Sequence, residues 1–336
     1  MQAGPVKTPS TSPLVAVGKA TAAIVILGMC IAILPIVPAI IVPLLALPLA
    51  HVVARRGLKY GAIVAVLSAA LIYVGIGAPT AVLVLLLIVG AGMALGWALL
   101  KGWRFERTFA STAGGVFAAM VLWGVVLWRV FGVGLTWLKE AAYGAIDDAA
   151  AQYVQLGLSA DSAEAVSTQM RRLVNAVPLV APGLAGMGAI LLAGCSIGLA
   201  YLIFPRLRER VTVALSLSGF RMHWGAAYAS IAGLAMLLFA RGDSGWSTIV
   251  MYVGINVLLV SQTLFFVQGL AVTRWFAVNR GMGRGARTAL YVAAILGQML
   301  FQLTGLVGLF DTWVDYRKRY AQKSPKAGSA GDIRKE

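Results

Sequence analysis

The amino-acid sequence predicts an all-α membrane bundle of about eight or nine spans, with one extracytoplasmic amphipathic helical pair. Three observations predict it. Of the 336 residues, 60% are hydrophobic and 12% are charged, whereas a soluble domain carries about 25% charged residues. The apolar residues gather into runs of about 20, the length that crosses roughly 30 Å of hydrocarbon. The basic residues fall in short clusters between those runs. A soluble fold of this size buries only about three-quarters of its chain surface, so a chain this apolar needs lipid as its solvent.

Residues 1–13 are rich in Pro, Ser and Thr, and this composition predicts a disordered N-terminus. A five-span N-terminal bundle over 14–134 follows. The first run, about 15–34, is too long and too closely followed by a second to read as a cleaved signal peptide. The second, about 36–53, carries Pro38, Pro43 and Pro48, which predict a kinked or partly unwound span. Spans three and four, about 60–76 and 80–100, are joined by the turn Gly75-Ile76-Gly77-Ala78-Pro79. Span five covers about 109–131.

Residues 135–177 change character: charge returns, on an alanine-rich background. Amphipathic helices are predicted over about 136–154 and 162–176. Asp161 followed by Glu164 resembles a capping box at the start of the second. Pro178 is expected to open span six, about 179–203, and with it a C-terminal bundle over 178–312. Spans seven to nine follow at about 224–240, 247–271 and 288–310. The basic tail, 313–336, is predicted to be disordered beyond about 320.

Lys and Arg concentrate on the cytoplasmic side of membrane proteins. With the N-terminus inside, alternate loops hold 16 of them, and the opposite side holds Arg129, Lys139, Arg171, Arg172 and Arg241. This asymmetry predicts a multi-pass protein of the bacterial cytoplasmic (inner) membrane, N-terminus cytoplasmic, helical pair outside. The tail conflicts with nine spans, which would place its seven basic residues outside. Either the rule fails there or the segment 288–310 does not cross.

The net charge of +16 does not indicate nucleic acid, because no base-stacking or phosphate-binding module accompanies it. Cys30 and Cys195 lie singly inside apolar runs, and His51 and His223 stand alone. No metal site and no cofactor are expected. There is no nucleophile–base pair, Walker A pattern, Gly-x-Ser-x-Gly elbow or His-Glu-x-x-His motif, so no enzyme is expected. Gly281-x-Gly283-x-Gly285 follows no strand and reads as a flexible linker. Trp123, Trp128, Trp137, Trp224, Trp246, Trp275 and Trp313 sit near span ends, as an interfacial belt does.

Two groups of residues are candidates for function. Spans eight and nine carry Asn256, Gln262, Gln268, Gln298 and Gln302 in apolar surroundings, with Gln298, Gln302 and Gly305 on one helical stripe. Such a stripe either lines a ligand cavity or bonds helices together. Small residues at four-residue spacing form the second group: Ala16/Ala20, Gly61/Ala65/Ala69, Gly92/Gly96 and Gly194/Gly198. They allow close helix packing, either within the bundle or against a partner membrane protein. Asp311, Asp315 and Arg317 read as an ion-paired structural cap on the last span.

Gln268-Gly269-Leu270-Ala271, Gly305-Leu306-Val307-Gly308-Leu309-Phe310-Asp311-Thr312-Trp313 and Asp315-Tyr316-Arg317 resemble the closing signature of the YybS-like family of bacterial multi-pass membrane proteins. Tyr153 followed by Gly157-Leu158-Ser159 resembles that family's middle region. Gly225 after Trp224 departs from its usual proline. The family is in turn distantly similar to the substrate-binding subunits of energy-coupling-factor transporters. That resemblance implies small-molecule capture, with the Ala16/Ala20 and Gly61/Ala65/Ala69 rows docking a partner. The function expected is therefore a non-catalytic small-molecule-binding or transport-associated subunit. The alternative is a membrane scaffold recruiting an envelope partner through residues 135–177.

Overall fold

The computed structural model describes residues 12–33, 38–157, 159–204, 217–240, 245–314, 316, 317 and 319. The expectations placed on residues 1–11, on Arg206, Arg208, Arg210, Arg241 and Asp315, and on the tail from 320 lie outside the described residues.

Among the described residues every regular element is helical. They form α1 Pro13–Ile33, α2 Pro38–Arg56, α3 Leu58–Gly75, α4 Ala78–Leu100, α5 Phe105–Arg129, α6 Leu135–Gln155 and α7 Ala160–Ile203. They continue with α8 Gly225–Phe239, α9 Gly245–Asn279, α10 Arg284–Phe301 and α11 Leu303–Val314. The chain divides into two compact units, residues 1–215 and 216–336, so the division falls later than the position 178 at which the sequence pattern separates the bundles.

Six helices, α1, α3, α4, α5, α7 and α9, are long and apolar enough to cross a bilayer, and the bent pair α10–α11 makes seven if it counts as one span. Between 17% and 44% of each spanning window is buried inside the protein, so most of every window faces outward. Leu14, Val74 and Phe239 are more than 80% exposed. An apolar surface of that kind on every side is the mark of a lipid-facing bundle rather than a soluble one. The count is lower than eight or nine partly because α8, at 15 residues, reaches only about 22 Å.

In the first unit α2 is the central helix. It packs against α1, α3, α4 and α7, and Leu45, Leu49, Ala50 and Val53 are all but fully buried. Pro43 and Pro48 stand inside it, as the sequence leads one to expect of a span whose neighbours supply what the backbone lacks. One such neighbour is Ser196 of α7, whose Oγ donates to the Pro43 carbonyl at 3.2 Å. The turn into α4 runs through Gly77 at φ 115°, a left-handed conformation that favours glycine.

Midway along α4, residues Ile88–Met93 form a π-helical bulge, and there α4 crosses α5 backbone against backbone. A Cβ on Gly90 would sit 2.4 Å from the Gly115 carbonyl oxygen, and one on Gly115 would sit 2.1 Å from that of Gly90. No side chain fits between them.

The helical pair differs from its prediction in two respects. Its second helix does not end at Pro178. α7 runs unbroken for 44 residues through Pro178 and Pro182, about 66 Å at 1.5 Å per residue, so pair and span six share one rod. Its N-cap is Ser159, whose Oγ accepts the Ser162 N–H at 3.3 Å, rather than Asp161. A hydroxyl at the residue preceding the first turn reaches that orphan donor, which a carboxylate already inside the turn does not. α6 lies along α7 and is tied to it by an Arg171–Asp147 ion pair and by Tyr143 donating to Asn175 Oδ1 at 2.8 Å. No residue of α6 is buried.

In the second unit α9 packs on α8 and α11. α10 and α11 meet at a 99° bend centred on Gln302, which has φ 54°, the one non-glycine residue in the left-handed region among those described.

Candidate functional site

The polar residues of spans eight and nine do not converge on one place. Gln298 Oε1 accepts the Gly305 N–H at 2.8 Å and so caps the free N-terminus of α11 from the other side of the bend. Thr304 Oγ1 donates back to the Ala294 carbonyl of α10. Gln262 Oε1 would lie 3.3 Å from a Cβ on Gly305, which puts it at the same corner. Gln302 is the hinge itself and is exposed. Asn256 Nδ2 donates to the Tyr252 carbonyl one turn earlier in α9. Ser261, paired with Ser230 at 2.7 Å, joins α9 to α8.

Gln268 belongs elsewhere, with the residues read as a cap. Its Nε2 donates to Asp311 Oδ2 at 3.1 Å, and its Oε1 accepts the Met222 N–H at 2.7 Å. Arg317 donates from Nη2 to the same Asp311 oxygen at 2.7 Å and from Nη1 to the Ser218 carbonyl at 2.9 Å. Asp311 and Arg317 are 4% and 3% exposed, so neither snorkels to water as position near a span end suggests. The physical reason is the close approach of α9 and α11, where a Cβ on Gly269 would sit 1.9 Å from the Thr304 carbonyl oxygen. A Cβ on Gly308, three residues before Asp311, would likewise sit 2.0 Å from the Phe265 carbonyl oxygen, so the two backbones stay close up to the turn that carries Asp311. Asp315 lies outside the described residues.

The small-residue rows mostly face inward. Gly92 and Gly96 lie against the α2 backbone, where added Cβ atoms would come within 2.9 Å of the Ala46 oxygen and 2.8 Å of the Ala50 oxygen. Gly61 abuts Val53. Ala20 and Ala65 are buried in the core of the first unit, and Ala69 is half-buried. A Cβ on Gly194 would lie 3.8 Å from Phe109, and one on Gly198 would meet open space.

Ala16, and Ala20 beside it, also line a cleft of about 520 Å³ in the first unit. The cleft runs between α1 and α2, and Ile203 and Phe204 at the end of α7 also line it. On α1 it is lined from Val15 to Leu27, and on α2 from Leu44 to Arg56. Twelve residues of helix make it about 18 Å long. The two ends differ chemically. Leu27, Leu44 and Leu47 form an apolar end, while Lys19, His51, Arg55 and Arg56 gather at the other, and no carboxylate lines the cleft. The His51 ring lies 4.6 Å from that of Phe204, and its buried Nδ1 has no hydrogen-bond partner among the described residues.

Sequence reading missed this site. It assigned Lys19, Arg55 and Arg56 to membrane orientation and His51 to isolation. The one local sign was a histidine and a lysine inside apolar runs. Among the described residues no group of His, Cys, Asp and Glu could hold a metal ion.

Long apolar helices, outward-facing apolar surface and buried interhelical polar bonds define a multi-pass α-helical membrane protein. The chain belongs to the family described as predicted membrane protein (DUF2232), which matches residues 22–312. No curated protein matches, and no solved structure does.

Proposed function

We propose that this protein is a non-catalytic membrane subunit that binds a small molecule in the α1–α2 cleft, in a transport-associated role. The observation that carries the reading is the cleft itself. Its volume lies within the ~300–1,000 Å³ range of small-molecule sites, and it has the usual make-up of apolar walls with a few grouped polar atoms. The resemblance to the YybS-like family, and more distantly to substrate-binding subunits of energy-coupling-factor transporters, supports the same direction. The site lies on spans one and two, in the first unit, whereas Gln268 and Gln298 of the second unit are engaged in hydrogen bonds to Asp311 and Gly305.

Lys and Arg placement supports the cytoplasmic membrane with the N-terminus inside. It also favours α10–α11 as a re-entrant pair. α11, at 12 residues, spans about 18 Å, short of the ~30 Å hydrocarbon layer. Re-entry returns the basic tail to the side of Arg284 and Arg287.

The experiment is extraction and mass spectrometry of whatever co-purifies with the full chain in neutral detergent. The Ala16→Phe variant, which fills the cleft, is expected to lose the bound molecule, and Gln298→Ala plus Gln302→Ala to retain it. The opposite pattern would move the site to the bend.

One observation favours the scaffold reading as a second possibility. α7 outruns a ~30 Å bilayer by roughly 36 Å, and α6 beside it exposes Leu135, Trp137 and Leu138, each about half exposed. Crosslinks concentrated at 140–175 in intact cells would support it.

A further inference from the structure

The cleft's two ends specify more than a small molecule. We infer that its ligand is an anionic lipid, drawn from the cytoplasmic leaflet of the bilayer, whose phosphate-type head sits among Lys19, His51 and Arg55 while a hydrocarbon chain lies along the slot toward Leu27 and Leu44. The inference rests on the small-molecule reading above and names the ligand class of that same site.

Three features carry it. The first is charge complementarity. Lys19 on α1 and Arg55 on α2 come from different helices to the same mouth, with Arg56 beside them. Basic pockets between membrane helices on the cytoplasmic side are suited to anionic headgroups, and guanidinium and ammonium groups hydrogen-bond phosphate oxygens strongly. The second is the His51 Nδ1, a buried polar atom without a partner among the described residues. A buried polar atom left unpaired costs free energy, and a headgroup oxygen or hydroxyl at this position would satisfy it. The third is the shape of the remainder. Ala16, Ala20, Leu27, Leu44, Leu47, Pro48 and Val52 leave a long apolar channel, which offers nothing to the second half of a polar metabolite but suits an acyl chain. The small side chains at 16 and 20 create the opening, so Ala16 acts as a doorway rather than as a helix-packing contact.

The test uses the full chain in neutral maltoside detergent, with bound copies counted by native mass spectrometry. It is titrated with dodecyl phosphate, dodecyl trimethylammonium, inorganic phosphate and, as a competitor, phosphatidylglycerol. One dodecyl phosphate should bind at least tenfold more tightly than the ammonium compound, and phosphatidylglycerol should displace it. Lys19→Gln plus Arg55→Gln should weaken dodecyl phosphate tenfold or more while leaving thermal stability unchanged, because both side chains are exposed. Ala16→Phe should abolish binding.

Equal binding of the two dodecyl compounds would overturn the anionic assignment and leave the cleft as a general apolar site. Inorganic phosphate binding as tightly as dodecyl phosphate would overturn the lipid assignment. Failure of phosphatidylglycerol to compete would overturn the bilayer as the source. No binding of any dodecyl compound, with Ala16→Phe indistinguishable from the parent, would remove both the inference and the small-molecule reading beneath it.

Discussion

Replacing Arg317 by Gln should destabilise the second unit by about 3–5 kcal/mol, far more than an ion pair at a span end would suggest. An exposed pair is worth about 0–1 kcal/mol, because water and salt screen both charges. Arg317 and Asp311 are screened by neither, their side chains being 3% and 2% exposed and 2.7 Å apart. Removing the guanidinium leaves the Asp311 carboxylate with only the Gln268 amide at 3.1 Å, while Oδ1 already has no partner among the described residues. The Ser218 carbonyl also loses its 2.9 Å bond from Nη1. Stranding a buried charge in this way costs about 3–5 kcal/mol, whereas replacing both members of a buried pair costs far less. The assay is reversible unfolding of the full chain in mixed micelles of neutral detergent and dodecyl sulfate, as a double-mutant cycle with Asp311→Asn. The double variant should be more stable than the sum of the singles predicts, by at least about 1.5 kcal/mol, within the range for contacting residues. Additive singles, each below about 1 kcal/mol, would refute the claim that this pair is closed off from solvent.

Three further outcomes follow from the same geometry. Gly115→Ala should cost about 1–3 kcal/mol by forcing α4 and α5 apart at their backbone contact, while Gly114→Ala, with nothing within 4 Å of the new Cβ, should be neutral in the same unfolding assay. Gln298→Ala removes the cap on α11 and should cost about 0.6–2 kcal/mol, without changing the affinity for dodecyl phosphate; a loss of that affinity would tie the bend to the cleft. A single cysteine introduced at position 328, in a chain with Cys30 and Cys195 replaced by Ala, should react with membrane-impermeant maleimide only after the cytoplasmic face is opened. Labelling from the outside would make α10–α11 a full crossing.

Much of the first unit can be read from the chain alone. The runs at 15–34, 60–76, 80–100 and 109–131 coincide closely with α1, α3, α4 and α5, because crossing hydrocarbon is a demand on each segment separately and hydropathy summed along a segment answers it. The same local signals located the Gly75–Pro79 turn, which runs through Gly77 at φ 115°. Other features escaped. Pro178 looked like a boundary because proline removes a donor, but a helix bonded on both sides of such a residue continues through it. Gly90 and Gly115 are 25 positions apart, and although each begins a four-residue small pair with Ala94 and Ala119, such a pair does not say which other helix it will face.

The candidate site divides in the same way. Residue types determined that the spanning segments would carry few charges and that several amides would lie within spans eight and nine. Only the packed helices decided that Gln268 joins Asp311 and Arg317 while Gln298 caps a bend, and that Lys19, His51 and Arg55 share one mouth. The reason is physical. Transfer of a segment into lipid depends on that segment's own atoms, whereas which side chains meet depends on how close two backbones can come, and that is settled by small residues on both helices at once. The sequence determined that this chain lives in a membrane; the crossings at Gly90–Gly115 and Gly269–Thr304, and the gap left at Ala16, decided where it could hold something.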